Sequence, residues 1–495
     1  MRVLHVCTEI FPLLKTGGLA DVVGALPEAQ KRAGCDARVL VPGFPALRSG
    51  ILDQTLVAEL APAFGVHGIR LYRGVLPASA NDVGLVQAGS EYVYVIDAPA
   101  LYDRPGNPYS DADNHAYPDN YRRFALLGWM AARLAEGLDS TWRPQIVHGH
   151  DWHAGLAPAY LRAAEEASGY KLAGSVFTVH NLAYQGNFPQ QVFHELGLPA
   201  HFYGINGIEF HGQCSFLKSG LFYADKLTTV SPTYAHEIQG SEQGCGFDGL
   251  LHSRENDLIG ILNGVDAAVW NPVTDKLIPA LFDAAAMAGK LTCKTALQNE
   301  FGLAVQNDAP LFCIVSRLTE QKGLHLIVAA LPEIIQRGGQ LIVLGSGDAS
   351  LEAAFQAAAL AHPHAVAVHI GYDEHLSHRI IAASDVIMVP SRFEPCGLTQ
   401  LYGLAYGTLP LVRQVGGLAD TVTDCSLENM ADGMATGFVF NSFDTTGICA
   451  ALRRAFALYK RKSDWKQVQK FGMQQQFSWD AAAMQFTTLY EQITP

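Results

Sequence analysis

Short, nearly continuous apolar runs alternate with longer amphipathic stretches along most of the chain. In the first half the runs at 2–9, 36–44, 92–97, 145–150, 174–180 and 226–231 read as strands. Several lack polar alternation, as expected of strands buried on both faces of a parallel sheet. Helical periodicity fills 19–32 and 121–136 between them. The second half repeats the pattern. Its strand runs are 311–316, 340–345, 365–371, 386–390 and 409–413, with helices at 324–336 and 351–360 among them. Strand–helix alternation traversed twice predicts two doubly wound α/β domains. A last strand, LIGILNGV, followed by DAAVWNP and a polar stretch, places the boundary near 258–272. The predicted domains are 1–260 and 261–477, the second starting in earnest at Ala309. Residues 478–495, with Trp479, Phe486 and Tyr490, read as a separate amphipathic helix.

Composition supports large cores: 49% of the 495 residues are hydrophobic and 16% charged. That length corresponds to two or more domains at roughly 150 residues each. The net charge of −13 argues against nucleic acid or an anionic membrane as the main partner. A phosphate-bearing substrate needs only a local positive site, so functional cations should be few and placed in special loops. The nine cysteines are odd in number, scattered and without a CxxC pair, which reads as reduced thiols in a cytoplasmic protein. The N-terminal MRVLHVCTEIFPLL carries Glu9 and no small-residue cleavage site, so it reads as a first strand and not a signal peptide. No uncharged apolar run approaches the roughly 20 residues needed to span a bilayer.

In open α/β sheets, ligands sit beyond the carboxyl ends of the strands. The unusual polar residues collect there. Lys15-Thr16-Gly17-Gly18 follows the first strand. Its glycines allow a tight turn that exposes N–H groups at the next helix start, and Lys15 adds a charge suited to phosphate. An ordinary turn with a solvated lysine has the same composition. The string Gly-Gly-Leu-Ala-Asp occurs at 17–21 and again at 416–420, each time with a Val two residues further on. Both copies follow a strand and open a helix. They fit a bare backbone that approaches an anion or hydroxyl, and equally the reuse of a good strand-to-helix turn.

Three histidines lie within His148-Gly149-His150-Asp151-Trp152-His153, but the spacing matches no common zinc pattern and no nearby cysteine completes a set. Trp, Asp and His at a strand end suit a sugar, whereas a capped turn with a buried Trp152 and His148 is the plainer alternative. His180-Asn181, ending the run at 174–180, offers donors and acceptors; a core histidine held by a carbonyl would look the same. Ser316-Arg317-Leu318-Thr319-Glu320-Gln321-Lys322-Gly323 puts two cations five residues apart across a loop, a fitting diphosphate clamp. In Pro390-Ser391-Arg392-Phe393-Glu394-Pro395-Cys396-Gly397-Leu398-Thr399, Glu394 sits in a Pro-fixed turn before a helix. It can hold sugar hydroxyls while the first-turn N–H groups and Thr399 take phosphate, or it can serve as a simple N-terminal helix charge.

Six ordered strings, KTGGLADV, HDWHAGL, TVHNLAYQG, LNGVD, SRLTEQKG and SRFEPCGLTQLYGLAYGTLP, together resemble the bacterial glycogen synthases. These are ADP-glucose-dependent glycosyltransferases of family 5 with the GT-B fold. The resemblance covers almost the whole chain; the loops 81–91 and 164–171 fall outside it. It implies two Rossmann-like domains facing across a cleft, the first on the acceptor and sugar side, the second on the nucleotide-sugar side. The helix 478–495 would cross back to the first domain.

The resemblance also implies site roles. Lys15 would contact ADP-glucose, with Gly18 nearby and Asp21 facing the glucose. Asp151 and His180 would line the sugar pocket, and Asn263 would reach it from the hinge. Arg317 and Lys322 would neutralise the diphosphate leaving group, and Tyr372 would stack on adenine. Glu394 would hold the transferred glucose, while Cys396, Gly397, Leu398 and Thr399 frame the phosphates. Glu394, His180, Arg317 and Lys322 form the implied catalytic set. The implied reaction moves glucose from ADP-glucose to the non-reducing 4-OH of glycogen or another α-1,4-glucan, with retention. It needs no metal or other cofactor, because basic residues and helix N-termini stabilise the departing diphosphate. Same-face attack assisted by that phosphate, or a nucleophilic Glu394, would each give retention. Rival readings are a related transferase with another nucleotide or acceptor, such as UDP-glucose or a small sugar, a silent α-glucan-binding protein, and a phosphorolytic enzyme, for which no pyridoxal-lysine motif is present.

Overall fold

A computed structural model describes residues 1–77 and 92–495; the loop 81–91 falls outside these. The chain divides into two compact units, Met1–Gly264 with Trp479–Pro495, and Val265–Ser478. Among the described residues, no helix is long and apolar enough to cross a membrane.

The strands of the first unit are β1 (Arg2–Val6), β2 (Asp36–Pro42), β3 (Leu52–Leu60), β4 (Ile69–Val75), β5 (Tyr92–Asp97), β6 (Ile146–His150), β7 (Gly174–Val179), β8 (Asn187–Pro189), β9 (Glu209–Phe210), β10 (Gln213–Ser215), β11 (Lys226–Thr229) and β12 (Leu258–Gly260). The main sheet has the order β12-β11-β7-β6-β1-β2-β5-β4-β3. It is parallel from β12 to β5. Strands β6 and β7 are buried along their whole length. Helices on both faces impose that burial, which is why these runs are nearly all apolar.

Three features depart from the sequence reading. The first strand ends at Val6, and 7–9 turn away after a last rung from Cys7 N–H to the Leu40 carbonyl (3.2 Å). Strands β3 and β4 add an antiparallel edge that was not expected. Strand β3 mixes polar with apolar positions and is largely exposed, so its pairing and not its burial defines it. A small antiparallel sheet, β8-β10-β9, was also not foreseen.

The second unit holds β13 (Leu311–Val315), β14 (Gln340–Gly345), β15 (Val366–Ile370), β16 (Val386–Val389), β17 (Leu409–Arg413) and β18 (Phe438–Phe440). They form an all-parallel sheet in the order β15-β14-β13-β16-β17-β18. The three-residue β18 is too short to register as a run. The helix Ala288–Glu300 is fixed to this sheet by two buried lysines one turn apart. Lys294 Nζ meets Asp385 Oδ2 and the Ala309 carbonyl, each at 2.6 Å. Lys290 Nζ donates to the carbonyls of Ala382 and Tyr406 and to Thr408.

The helix Trp479–Glu491 belongs to the first unit. Trp479, Ala482, Ala483, Phe486, Leu489 and Tyr490 bury against Val22, Leu26 and Ala29 of the helix Gly18–Arg32 and against Val3, Ile146 and Val176 of the sheet. Arg32 pairs with Asp480 at 2.7 Å on the rim. Phe486→Ala should lower the unfolding free energy by about 3–5 kcal/mol, the cost of emptying a buried aromatic site. Urea unfolding of the full chain measures this; an unchanged midpoint would show that the terminal helix is not part of that core.

Candidate active site

Strands β1, β6 and β7 are neighbours, so the loops at their carboxyl ends converge. Asp151 follows β6 with a positive φ of 56°, a conformation rarely adopted outside glycine. Its Oδ1 accepts from the backbone N–H of His180 (2.7 Å) and of Asn181 (3.4 Å). That carboxyl therefore pins the end of β7, where His180 stands. Burial pushes the Asp151 pKa up to about 7, against the two backbone donors that pull it down. Burial lowers His180 to about 3, so its ring is neutral.

The three clustered histidines separate. His148 and His150 point inward with His5, whereas His153 stacks on Tyr109 at 4.5 Å. Ring nitrogens of His5, His148 and His150 lie close enough to converge on one ion. All six are already hydrogen-bonded, to one another or to Gln30, Tyr490, Thr178 and His180. A metal would have to break at least two of those bonds. Trp152 packs edge-on to Phe124 at 5.0 Å and lies under Gly186 (φ +58°), where a Cβ would come within 2.2 Å of the indole. It is a packing residue here.

The loop after β1 differs from expectation. Lys15 pairs with Asp21 at 3.0 Å. The N–H groups of Thr16 and Gly17 donate to the Glu9 carboxylate, which also receives the hydroxyls of Thr16 and Tyr109. An internal anion thus occupies two amides of the Lys15–Gly18 string, just before the helix start. Gly18 is exposed at the start of the helix Gly18–Arg32. Asn263 is buried at the end of the first unit.

In the second unit, the loop after β13 and the loop after β16 are laced together. Arg392 N–H donates to the Gln321 carbonyl (2.8 Å), and Gln321 Nε2 to the Phe393 carbonyl (3.3 Å). Gly323 has φ +68°, and a Cβ on it would lie 2.1 Å from the Pro390 carbonyl. Only glycine meets both demands. The close approach brings Lys322 Nζ to 2.5 Å from Glu394 Oε2, to which Ser391 Oγ also donates (2.9 Å). Glu394 is buried. Arg317 stands exposed beyond β13, and Tyr372, 68% exposed, beyond β15. Cys396, Gly397 and Leu398 lead into the helix Thr399–Ala405. The side chain of Gln400 holds this turn from behind, donating to the carbonyls of Cys396 (3.1 Å) and Gly397 (2.7 Å).

The repeated pentapeptide has two uses. A Cβ at Gly17 would meet nothing within 4 Å. At Gly416, with φ +43°, it would lie 2.0 Å from the Glu394 carbonyl, and at Gly417 2.1 Å from that of Cys396. The second copy is thus a packing surface that supports the Glu394 turn. Glu9, Ser391 and Gln400 were not picked out from sequence. Ser391 and Gln400 lay inside or beside a flagged string, but nothing local marked their partners.

Two doubly wound units with cations and carboxylates at their strand ends define a two-domain glycosyltransferase of the GT-B class. Residues 2–253 match the family model described as starch synthase catalytic domain, and 297–470 the one described as glycosyl transferases group 1. Over 494 residues and the whole of this chain, it is 60% identical to the glycogen synthase of Francisella tularensis subsp. novicida, covering 99% of that protein. It is likewise 60% identical to the glycogen synthase of Francisella philomiragia, covering 100% of it. Among solved structures it is similar to the catalytic domain of starch synthase IV from Arabidopsis thaliana bound to ADP and acarbose, with a TM-score of 0.89 and 31% identity over 100% of this chain and 99% of that one. Sucrose-phosphate synthase from Thermosynechococcus elongatus shares the fold at a TM-score of 0.57 and 18% identity, over 99% and 98% of the two chains. The chain belongs to the glycogen synthases of glycosyltransferase family 5.

Gly17→Ala should stay within about 0.5 kcal/mol of the wild type, while Gly416→Ala should lose about 2 kcal/mol or more. Parallel urea titrations separate the two, and equal losses would contradict the two uses. Asp151 gives a pH test. Its folded pKa lies above the unfolded value of 3.8, so its contribution is full below 3.8 and lost as pH rises through about 7. Relative to Asp151→Asn, the wild type should lose stability by up to about 4 kcal/mol from about pH 4 to about pH 8. A pH-independent difference would contradict the buried carboxyl.

Proposed function

We propose that the enzyme moves glucose from ADP-glucose to the non-reducing 4-OH of an α-1,4-glucan with retention. The observation that carries this reading is the partly buried Lys322–Glu394 pair, held at the start of the 396–399 turn. Lys322 and Arg317 neutralise the diphosphate as the bond between glucose C1 and the phosphate oxygen breaks. The first amides of the helix Thr399–Ala405 and the Thr399 hydroxyl take the phosphate oxygens. Tyr372 offers an exposed ring to adenine. Glu394 accepts hydroxyls of the transferred glucose. Lys322 and Ser391 both engage Glu394 Oε2, which dampens its nucleophilicity and favours an electrostatic role. The 4-OH attacks C1 from the leaving-group side, and its proton goes to the departing phosphate.

On the first unit, Lys15, Gly18 and Asp21 contact the donor, Asp151 and His180 hold the sugar, and Asn263 reaches the same sugar. The ADP in the Arabidopsis relative supports an adenosine diphosphate leaving group. The nine cysteines are all unbridged, which supports a cytoplasmic location.

Purified enzyme given ADP-[14C]glucose and glycogen should place label in polymer, and UDP-[14C]glucose should compete poorly. Lys322→Ala and Glu394→Ala should each lower kcat by about a hundredfold or more, with the fold retained. Near-normal rates in both variants would refute the assignment. Glycogen binding without ADP release would instead mark a silent glucan-binding protein.

A further inference from the structure

The core of the first unit carries polar side chains that a fully covered parallel sheet does not need for packing. His5 on β1, His148 and His150 on β6, Thr178 on β7 and Thr228 on β11 are all buried. They join Gln30 of the helix Gly18–Arg32 and Tyr490 of the helix Trp479–Glu491 in one hydrogen-bonded chain. Starting from the site, His180 Nε2 meets His150 Nδ1 at 3.1 Å, and His150 Nε2 meets His5 Nδ1 at 2.9 Å. His5 Nε2 meets Gln30 Oε1 at 2.7 Å, and Gln30 Nε2 meets the Tyr490 hydroxyl at 3.0 Å. Tyr490 meets His148 Nδ1 at 2.7 Å, and His148 Nε2 meets Thr178 Oγ1 at 2.6 Å. Thr178 then reaches Thr228.

The direction of the bonds from Gln30 to His180 follows from the Gln30 amide. Burial keeps the four rings neutral, with His5 lowered to about 4, His180 to about 3, and His148 and His150 well below the usual value. Each ring then has one N–H and one lone pair. The Gln30 carbonyl only accepts, so His5 carries its hydrogen on Nε2. His5 Nδ1 therefore accepts from His150 Nε2–H, and His150 Nδ1 from His180 Nε2–H. His180 is left with a bare Nδ1, which has no protein partner among the described residues. On the other side, Gln30 Nε2 donates to the Tyr490 hydroxyl, which meets His148 Nδ1, and His148 Nε2 meets Thr178 Oγ1. Inverting one ring alone would set two hydrogens or two lone pairs face to face in a dry core.

We propose that Gln30 and Tyr490 are positioning residues for glucosyl transfer: through His5 and His150 they fix His180 in its Nε2–H tautomer, with Nδ1 as an acceptor for a sugar hydroxyl. This rests on the reading of His180 as a sugar-binding residue. The tautomer itself stands apart from that reading and is observable without substrate.

The test uses full-length protein labelled with 15N-histidine, in which His180 is assigned by its loss in His180→Asn. Long-range 1H–15N spectra of the wild type at neutral pH should show one His180 form, with a protonated Nε2 and a lone-pair Nδ1. Gln30→Met, and separately Tyr490→Phe, should give mixed His180 tautomers. They should lower kcat about tenfold with little change in the KM for ADP-glucose. A wild-type His180 protonated on Nδ1 overturns the proposal. So does a single unchanged tautomer in whichever of the two variants folds. If the tautomer shifts as expected while the wild type transfers no glucose, the relay stands and the functional reading fails.

Discussion

A parallel sheet covered on both faces leaves its chain one place for exposed polar chemistry: the carboxyl ends of the strands. Each unit of this enzyme obeys that constraint, and the rest of the candidate site depends on it. The strand interiors are apolar or, where polar, fully hydrogen-bonded. Asp151 and His180 stand at the ends of β6 and β7, and Lys322 and Glu394 beyond β13 and β16. Adjacent parallel strands put those ends side by side. The next loop must then approach its neighbour closely, and this is where glycine becomes obligatory. Gly323 against Pro390 and Gly416 against Glu394 are backbone-to-backbone contacts that leave no room for a Cβ. The Lys322–Glu394 distance follows from those approaches.

Much of the fold was legible because burial writes itself into composition. The central strands were found from their apolar runs. The edge strands β3 and β4 were not, because one of their faces is wet and their identity lies in pairing, a non-local property. Within the site, residues inside flagged strings came to the expected strand ends. What failed was the assignment of partners. Glu9 looked like a charge that argues against a signal peptide; it closes over two amides seven and eight residues further on. Gln30, inside the predicted helix 19–32 and unmarked by its local pattern, joins His5 to a tyrosine 460 residues away. The repeated pentapeptide was visible at once, but its two uses depend on what lies opposite each copy. Only the fold supplies that.

The charge pattern connects these observations. The chain carries a net charge of −13, and two of the three cations assigned to the donor are held by its own carboxylates: Lys15 by Asp21 and Lys322 by Glu394. Burying a lone ammonium or carboxylate is far costlier than burying a pair. Pairing therefore stabilises both groups before any ligand arrives. A diphosphate brings more negative charge than a carboxylate and offers several acceptor oxygens. It can recruit Lys322 without leaving Glu394 destitute, because Ser391 still donates to that carboxylate and sugar hydroxyls can replace the ammonium. Under the proposed function, donor binding is an exchange of partners among groups already in place, with Glu394 turning to the sugar as Lys322 turns to the phosphate.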